Sequence, residues 1–298
     1  LWSDSMNEKD NQFLNIQWYP GHMTKTRRMM EEELKLVDAV CEILDARIPI
    51  SSRNPDLAAL CEKKPRMIIL NRADQADPAA SRRWESYFKS QGLVTLQTDC
   101  KSRRGLSGFE PAVRSLLAEK LRRYAEKGQG GRPLKLMIAG IPNVGKSTFI
   151  NQIAGRKGAK AENRPGVTRG KQWVTVSQGL LLLDTPGILW PKFEDPEVGM
   201  HLAYTGAVKD DVIDLETLAC RLMQLLAARY PAALTERYKL ALSGEDDGWA
   251  LLQQAGRRRG YLLSGGQIDT ERMARVLLEE YRGGKLGRFT LESPEDLK

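Results

Sequence analysis

The chain has 298 residues and a mass of 33.5 kDa, with 41% apolar and 28% charged residues, so a disordered, collagen-like or disulfide-stapled protein is excluded. That length exceeds what one hydrophobic core usually organises, and two domains are expected. The net charge of +8 is local: residues 1–198 hold 32 Lys and Arg against 23 Asp and Glu, whereas residues 199–298 hold 14 against 15. A basic N-terminal two thirds is the electrostatic footprint of a partner with a phosphate backbone. The four cysteines (Cys41, Cys61, Cys100, Cys220) are far apart and form no C-x-x-C pair, so reduced, buried thiols are expected. No run approaches the ~20 apolar residues of a membrane span, and the charged-then-apolar pattern of a signal peptide is missing, which points to the cytoplasm.

Residues 1–14 are polar and aperiodic, include Met6 as an alternative start, and are read as a disordered N-terminal extension. Helix formers run from Met23 to Leu36, then Ala39 to Leu44 reads as a strand ending at Asp45. Met67 to Leu70 is a second buried strand running straight into Asn71. A helix begins at Asp77-Pro78 and carries Trp84, Tyr87 and Phe88 at core spacing; Leu93 to Leu96 is the next strand. A helix over about 111–127 ends in Gly128-Gln129-Gly130-Gly131, the first linker signal. Leu134 to Ala139 is a strand followed by a Gly-rich turn and a helix from Ser147. Val174 to Val176 and Leu180 to Leu183 form a hairpin. Alternation of strands and helices implies an α/β fold, a mostly parallel sheet covered on both faces. Beyond about residue 196 the texture turns all-α, notably over 215–230 and 269–281, with a strand only at Phe289 to Leu291. The expected division is 15–195 and 196–298.

Gly140-Ile141-Pro142-Asn143-Val144-Gly145-Lys146-Ser147 fits G-x-x-x-x-G-K-[ST] between a strand and a helix, the context that confirms a phosphate-binding P-loop. Amides along Asn143, Val144, Gly145 and on into Thr148 can turn toward phosphate oxygens, and the helix adds its positive end. Lys146 supplies charge to the β and γ phosphates, and Ser147 a hydroxyl to Mg²⁺. Asp184-Thr185-Pro186-Gly187 ends a strand 37 residues beyond Ser147, which makes Asp184 a magnesium ligand, direct or through water, and brings the Gly187 amide to the γ-phosphate. Thr168, in Pro165-Gly166-Val167-Thr168, is the hydroxyl that would close over the metal.

The base is chosen by other residues. Asn71-Arg72-Ala73-Asp74 resembles the N-K-x-D element with which GTPases read guanine, and Asp74 can accept from guanine N1–H and the N2 amino group, a pair adenine does not present. Arg72 replaces the usual Lys and can stack over the base plane. Cys100-Lys101-Ser102 resembles the weaker loop whose backbone amide meets guanine O6. Both elements precede the P-loop, whereas most GTPases place them after it. The motif order is rotated, as a circular permutation allows when chain ends lie close together.

From about Asn15 onward the chain resembles the bacterial YlqF/RbgA family of circularly permuted GTPases. The resemblance is carried by Trp18-Tyr19-Pro20-Gly21-His22-Met23, Asp45-Ala46-Arg47-Ile48-Pro49, the permuted guanine motif, Gly140 to Thr148, Pro165 to Thr168, Asp184 to Gly187 and Gly283 to Glu292. It implies a P-loop GTPase domain followed by a helical domain that contacts ribosomal RNA. The implied function is GTP-dependent assembly of the large (50S) ribosomal subunit, with hydrolysis stimulated by the particle; a monomer is expected.

Many GTPases follow D-x-x-G with a glutamine that orients the attacking water; here the residue is Ile188, which can neither donate nor accept. The family resemblance implies that His22 enters the site once the particle binds, so His22 and Lys146 are the catalytic candidates, and His201 is structural. Asn143 resembles the asparagine through which related GTPases hold K⁺ beside the phosphates. Three other readings stand beside this one. A nucleotide-gated RNA-binding module would fit Ile188. A permuted GTPase of another ribosomal particle would need a zinc cluster or a leading all-β segment, and a P-loop ATPase or kinase is opposed by Asp74.

Overall fold

A computed structural model describes residues 20–158, 172–187, 189–190, 195–244 and 246–297. Among the described residues the chain divides into two compact units, one of residues 20–190 with 290–297 and one of residues 195–289. Residues 128–131, with their linker composition, form a turn inside the first unit. The segment from 290 onward is helical-domain sequence by position, yet it belongs with the sheet.

The first unit runs α1 (Pro20–Leu34), β1 (Ala39–Asp45), α2 (Pro55–Leu60), β2 (Arg66–Asn71), α3 (Pro78–Ser90), β3 (Val94–Gln97), α4 (Phe109–Leu116), α5 (Ala118–Glu126), β4 (Leu134–Ala139), α6 (Lys146–Gly158), β5 (Trp173–Ser177) and β6 (Leu180–Asp184). Its six strands stand in the order β3-β2-β1-β4-β6-β5, all neighbours parallel except the β5–β6 hairpin. The expected single helix over 111–127 is two, α4 and α5, broken at Leu117. Helix α2 escaped the sequence reading; Asn54 caps it by accepting from the amides of Asp56 (2.9 Å) and Leu57 (3.4 Å), with Pro55 at its first position. Asp77 caps α3 in the same way.

Strand alternation divides the core into two layers. On one face, Val40, Met137, Leu181 and Leu183 pack with Met30 and Leu34 of α1 and Leu57 of α2, and in a second cluster on that same face Leu44, Ile68 and Leu70 pack with Trp84 and Phe88 of α3. The intervening positions Cys41, Ile43, Met67, Ile69, Leu136, Ile138 and Leu182 are as fully buried, so both sheet faces are covered. Phe109 of α4 and Phe149 of α6 meet edge to face at 5.1 Å. These layers fix the C-terminal strand ends, where the crevice of a parallel sheet lies.

The second unit holds α7 (Pro196–Tyr204), α8 (Leu215–Arg229), α9 (Pro231–Tyr238), α10 (Gly248–Arg258) and α11 (Thr270–Arg282). Buried Glu280 accepts from Arg237 (3.0 and 2.5 Å), Tyr238 (2.7 Å) and Arg259 (3.2 Å), binding α9 and the end of α10 to α11. Arg282 donates to the carbonyls of Ala203 (2.9 Å) and Tyr204 (3.1 Å) and pairs with Asp210 at 2.7 Å. Phe289 stacks on Tyr281 at 5.9 Å. The strand expected over 289–291 does not form among the described residues: the segment makes no ladder with them, and the Leu291 amide donates to the Arg47 carbonyl at 2.8 Å.

The Glu42 carboxylate is buried in the middle of β1. Burial raises the Glu42 carboxyl to about 7 against the opposing pull of Arg53 and Arg66. Between its ordinary range and pH 7 the unfolded chain ionises while the folded chain holds its proton, so this residue makes stability fall as pH rises through that window. Glu42→Gln should therefore gain on the wild type between pH 5 and pH 8, by up to roughly 1.4 kcal/mol per pH unit of the window. Urea denaturation at the two pH values measures it; a difference independent of pH would show that Glu42 titrates normally.

Candidate functional site

The candidate site lies at the C-terminal ends of β1, β2 and β4, where Asp45, Asn71 and the turn after Ala139 stand on adjacent strands. Register aligns Asp45 opposite Asn71, so the residue that ends one strand faces the residue that opens the guanine-like motif on the next.

The phosphate loop is held from that side. Asn71 Nδ2 donates to the Val144 carbonyl at 2.9 Å, and its Oδ1 accepts from Thr98 Oγ1 (3.1 Å) and Cys100 Sγ (3.2 Å). Burial raises the Cys100 thiol to about 11, with Asp99 adding to the effect, which keeps it a protonated donor. Arg72 reaches the next carbonyl, donating from Nη2 to Asn143 at 2.9 Å. Asn71 and Arg72 thus act on the phosphate loop itself. Gly145 is required for this approach: it has φ +99°, and a Cβ there would lie 2.4 Å from Asn71 Nδ2.

Lys146, the first residue of α6, is buried and donates to the carbonyls of Gly140 and Ile141, both at 3.2 Å. Burial lowers its ammonium from the ordinary lysine value, with Asp184 opposing the shift; burial likewise raises Asp184, with Lys146 opposing. The pair is electrostatically coupled at the end of β6. Gly187 packs onto the loop so closely that a Cβ would stand 2.8 Å from Pro142 N and 2.9 Å from Lys146 Nζ. The structure therefore brings Gly187 of the D-x-x-G segment against the phosphate loop. Ser147 and Thr148 are exposed at the helix start. Ser147 and Asp184 supply only oxygen donors, the type that suits Mg²⁺. Thr168 and Ile188 lie outside the described residues; His22 falls in the first turn of α1, where the backbone alone is described.

Asp74 is partly exposed, and its carboxylate stands 4.0 Å from Lys101 Nζ, which places the guanine-reading candidate beside the Cys100–Ser102 loop. The amides of Lys101 (2.8 Å) and Ser102 (3.3 Å) both donate to Asp99. These two bonds shape the loop that stands beside Asp74.

The sequence reading assigned no role to Asp45, Arg47 and Glu292. Asp45 accepts from Arg47 at its amide (3.0 Å), Nε (2.9 Å) and Nη2 (2.7 Å); both side chains are buried. Burial alone would raise the Asp45 carboxyl, but the Arg47 guanidinium holds it below the usual range. Glu292 accepts from the amides of Ile50 (2.7 Å) and Ser51 (3.0 Å), Trp84 Nε1 donates to the Glu292 carbonyl (3.1 Å), and Thr290 Oγ1 donates to the Ala46 carbonyl (3.2 Å). The signal available was the Asp-x-Arg pair at a strand end, two residues apart.

A family model described as 50S ribosome-binding GTPase matches residues 135–224. The chain is 45% identical over 281 residues to Ribosome biogenesis GTPase A of Bacillus cereus, covering 94% of this chain and 95% of that one. It is similar to the GDP-bound structure of YlqF from Thermotoga maritima (TM-score 0.67, 27% identity, 90% of this chain and 100% of that one). The GNP-bound T. maritima YlqF matches comparably (TM-score 0.66, 27% identity, 92% and 100%).

Asn71→Ala would leave the Val144 carbonyl without its carboxamide donor in a buried setting, a change of about 1–3 kcal/mol. Affinity for GDP and GTP should fall together by roughly 5- to 150-fold, read by equilibrium binding of labelled nucleotides. Unchanged affinity would show that the bond does not shape the loop.

Proposed function

We propose a function from the premise that this chain belongs to the ribosome biogenesis GTPase A family, to which it is 45% identical across nearly its whole length. The chain is a P-loop GTPase that hydrolyses GTP to GDP and phosphate, and its role is assembly of the large ribosomal subunit in the cytoplasm. The observation that carries the reading is the fastening of the guanine-reading strand to the phosphate loop through Asn71 and Arg72, within a chain matched to that family over both units. GTP binding is read by Asp74 at the base and by the Asn143–Thr148 amides, Lys146 and Gly187 at the phosphates. Ser147, Asp184 and Thr168 would hold Mg²⁺, which when bound supplies charge neutralisation across the β and γ phosphates. Asn143 would hold K⁺ beside them.

In the chemical step Lys146 places its charge against the transferred phosphoryl group, and the carbonyls of Gly140 and Ile141 fix where that charge sits. Ile188 cannot orient water, so the water-positioning group is delivered from elsewhere. His22, in the first turn of α1, is the proposed group, and the ribosomal particle the proposed trigger. Nine basic residues against three acids between Lys101 and Arg132 support contact with ribosomal RNA. The protein acts as a monomer in this reading. The alternative, a nucleotide-gated RNA-binding module, is favoured by Ile188 alone. Single-turnover GTP hydrolysis with and without large-subunit precursors separates the two: stimulation supports the enzyme, its lack the module.

Asp74→Asn exchanges an acceptor for a group with one acceptor and one donor, so GTP should bind more weakly and xanthosine triphosphate more tightly. Competition binding reads this, and parent-like preference for GTP over ATP and xanthosine triphosphate would remove Asp74 from the base site.

His22→Ala should leave nucleotide and particle binding near wild type and lower stimulated hydrolysis by about 10²-fold or more. Hydrolysis without the particle should change little. Wild-type stimulated turnover would end the proposal, and an equal loss of particle binding would make His22 a docking residue.

A further inference from the structure

A guanine motif with Arg in place of Lys needs something to hold the longer, planar side chain. Arg72 sits at φ +59°, in the left-handed region, and its guanidinium reaches both the phosphate loop and the carboxylate at the end of β1. Nη2 donates to the Asn143 carbonyl of the phosphate loop at 2.9 Å, and Nε lies 3.7 Å from Asp45 Oδ2. A lysine has one nitrogen and cannot occupy both places; the extended fork of arginine can. Asp45 is buried at 2% exposure, bound by Arg47 at both carboxylate oxygens, and stands at the end of β1 opposite Asn71. It therefore presents a fixed negative charge at the one place where Arg72 passes on its way to the loop.

We infer that Asp45 is a positioning residue for nucleotide binding: it orients Arg72 so that the guanidinium secures Asn143, and this is what makes arginine effective at a position usually held by lysine. The inference rests on the reading of this site as a guanine-nucleotide site. Asp45 touches no substrate; its effect passes through Arg72 to the main chain that cradles the phosphates. The loop carrying it is in turn held by Thr290, Leu291 and Glu292.

Equilibrium binding of labelled GDP and of a labelled non-hydrolysable GTP analogue should be measured for the full chain and for Asp45→Asn, Arg72→Lys and the double variant. Arg72→Lys alone is expected to weaken both nucleotides several-fold, because lysine abandons the Asp45 anchor; binding equal to or tighter than wild type overturns the inference. Asp45→Asn is expected to weaken both nucleotides by about tenfold when Arg72 is intact and less than about twofold when Arg72→Lys is already present, the non-additivity of a direct coupling. Equal losses in both backgrounds would overturn it and leave Asp45 a partner of Arg47 only. Should Asp45→Asn fail to fold with Arg47 orphaned, Asp45→Asn with Arg47→Met removes the stranded charge and carries the same comparison. Failure of the wild type to bind labelled GDP would instead refute the guanine-site reading, a result distinguishable from either outcome of the cycle.

Discussion

The bond from the Asn71 carboxamide to the Val144 carbonyl joins two parts of one site that lie 73 residues apart in the chain. A phosphate loop turns its amides inward and so leaves its carbonyls facing outward, where buried ones must find donors. Here two successive carbonyls, Asn143 and Val144, are taken by two successive residues of the guanine motif. Because Asn71 is itself gripped by Thr98 and Cys100, the loops after β2, β3 and β4 form one hydrogen-bonded body. Reversing the order of these strands along the chain does not disturb that body. It depends on which strands are neighbours, and β2-β1-β4 are neighbours whichever is made first.

Much of this was legible in the sequence because its signals are local. Leu134 to Ala139 is an apolar run with a Gly-rich turn behind it, and β4 has the expected bounds. Asp77-Pro78 marks the start of α3, and the Trp84 and Phe88 spacing marks its buried face. What stayed hidden depends on distant partners. Helix α2 has six residues, too few to display a period, so only its Asn54-Pro55 cap announced it. Phe289 to Leu291 has the composition of a strand, but no strand edge among the described residues receives it, and its polar groups settle on the 46–51 loop instead. N-x-x-D spacing indicates a base-reading element without saying that Asn71 faces the phosphate loop, and no pattern tells that Lys101 and Ser102 spend their amides on Asp99.

Both units use one electrostatic device. In the first, Asp45 stands between Arg47 and Arg72; in the second, Glu280 stands between Arg237 and Arg259. A single buried carboxylate is costly to desolvate, and a hydrogen-bonded guanidinium with a second one close by offsets that cost while leaving one surplus positive charge. In the helical unit the arrangement fastens helices to one another. In the sheet unit the surplus lies beside a loop built to receive phosphates, where positive potential favours the ligand.

Glu292 meets the amides of Ile50 and Ser51 across about 240 positions of sequence. During synthesis the loop after β1 emerges early and must wait for that carboxylate; at ~5–20 residues per second the delay is roughly 12 to 48 s. All of α7 to α11 is translated in the interval. A nascent chain interrupted anywhere in the helical unit therefore carries a sheet whose Asp45 loop is unclasped. Translation order alone thus keeps a fully braced nucleotide site out of fragments that lack the helices.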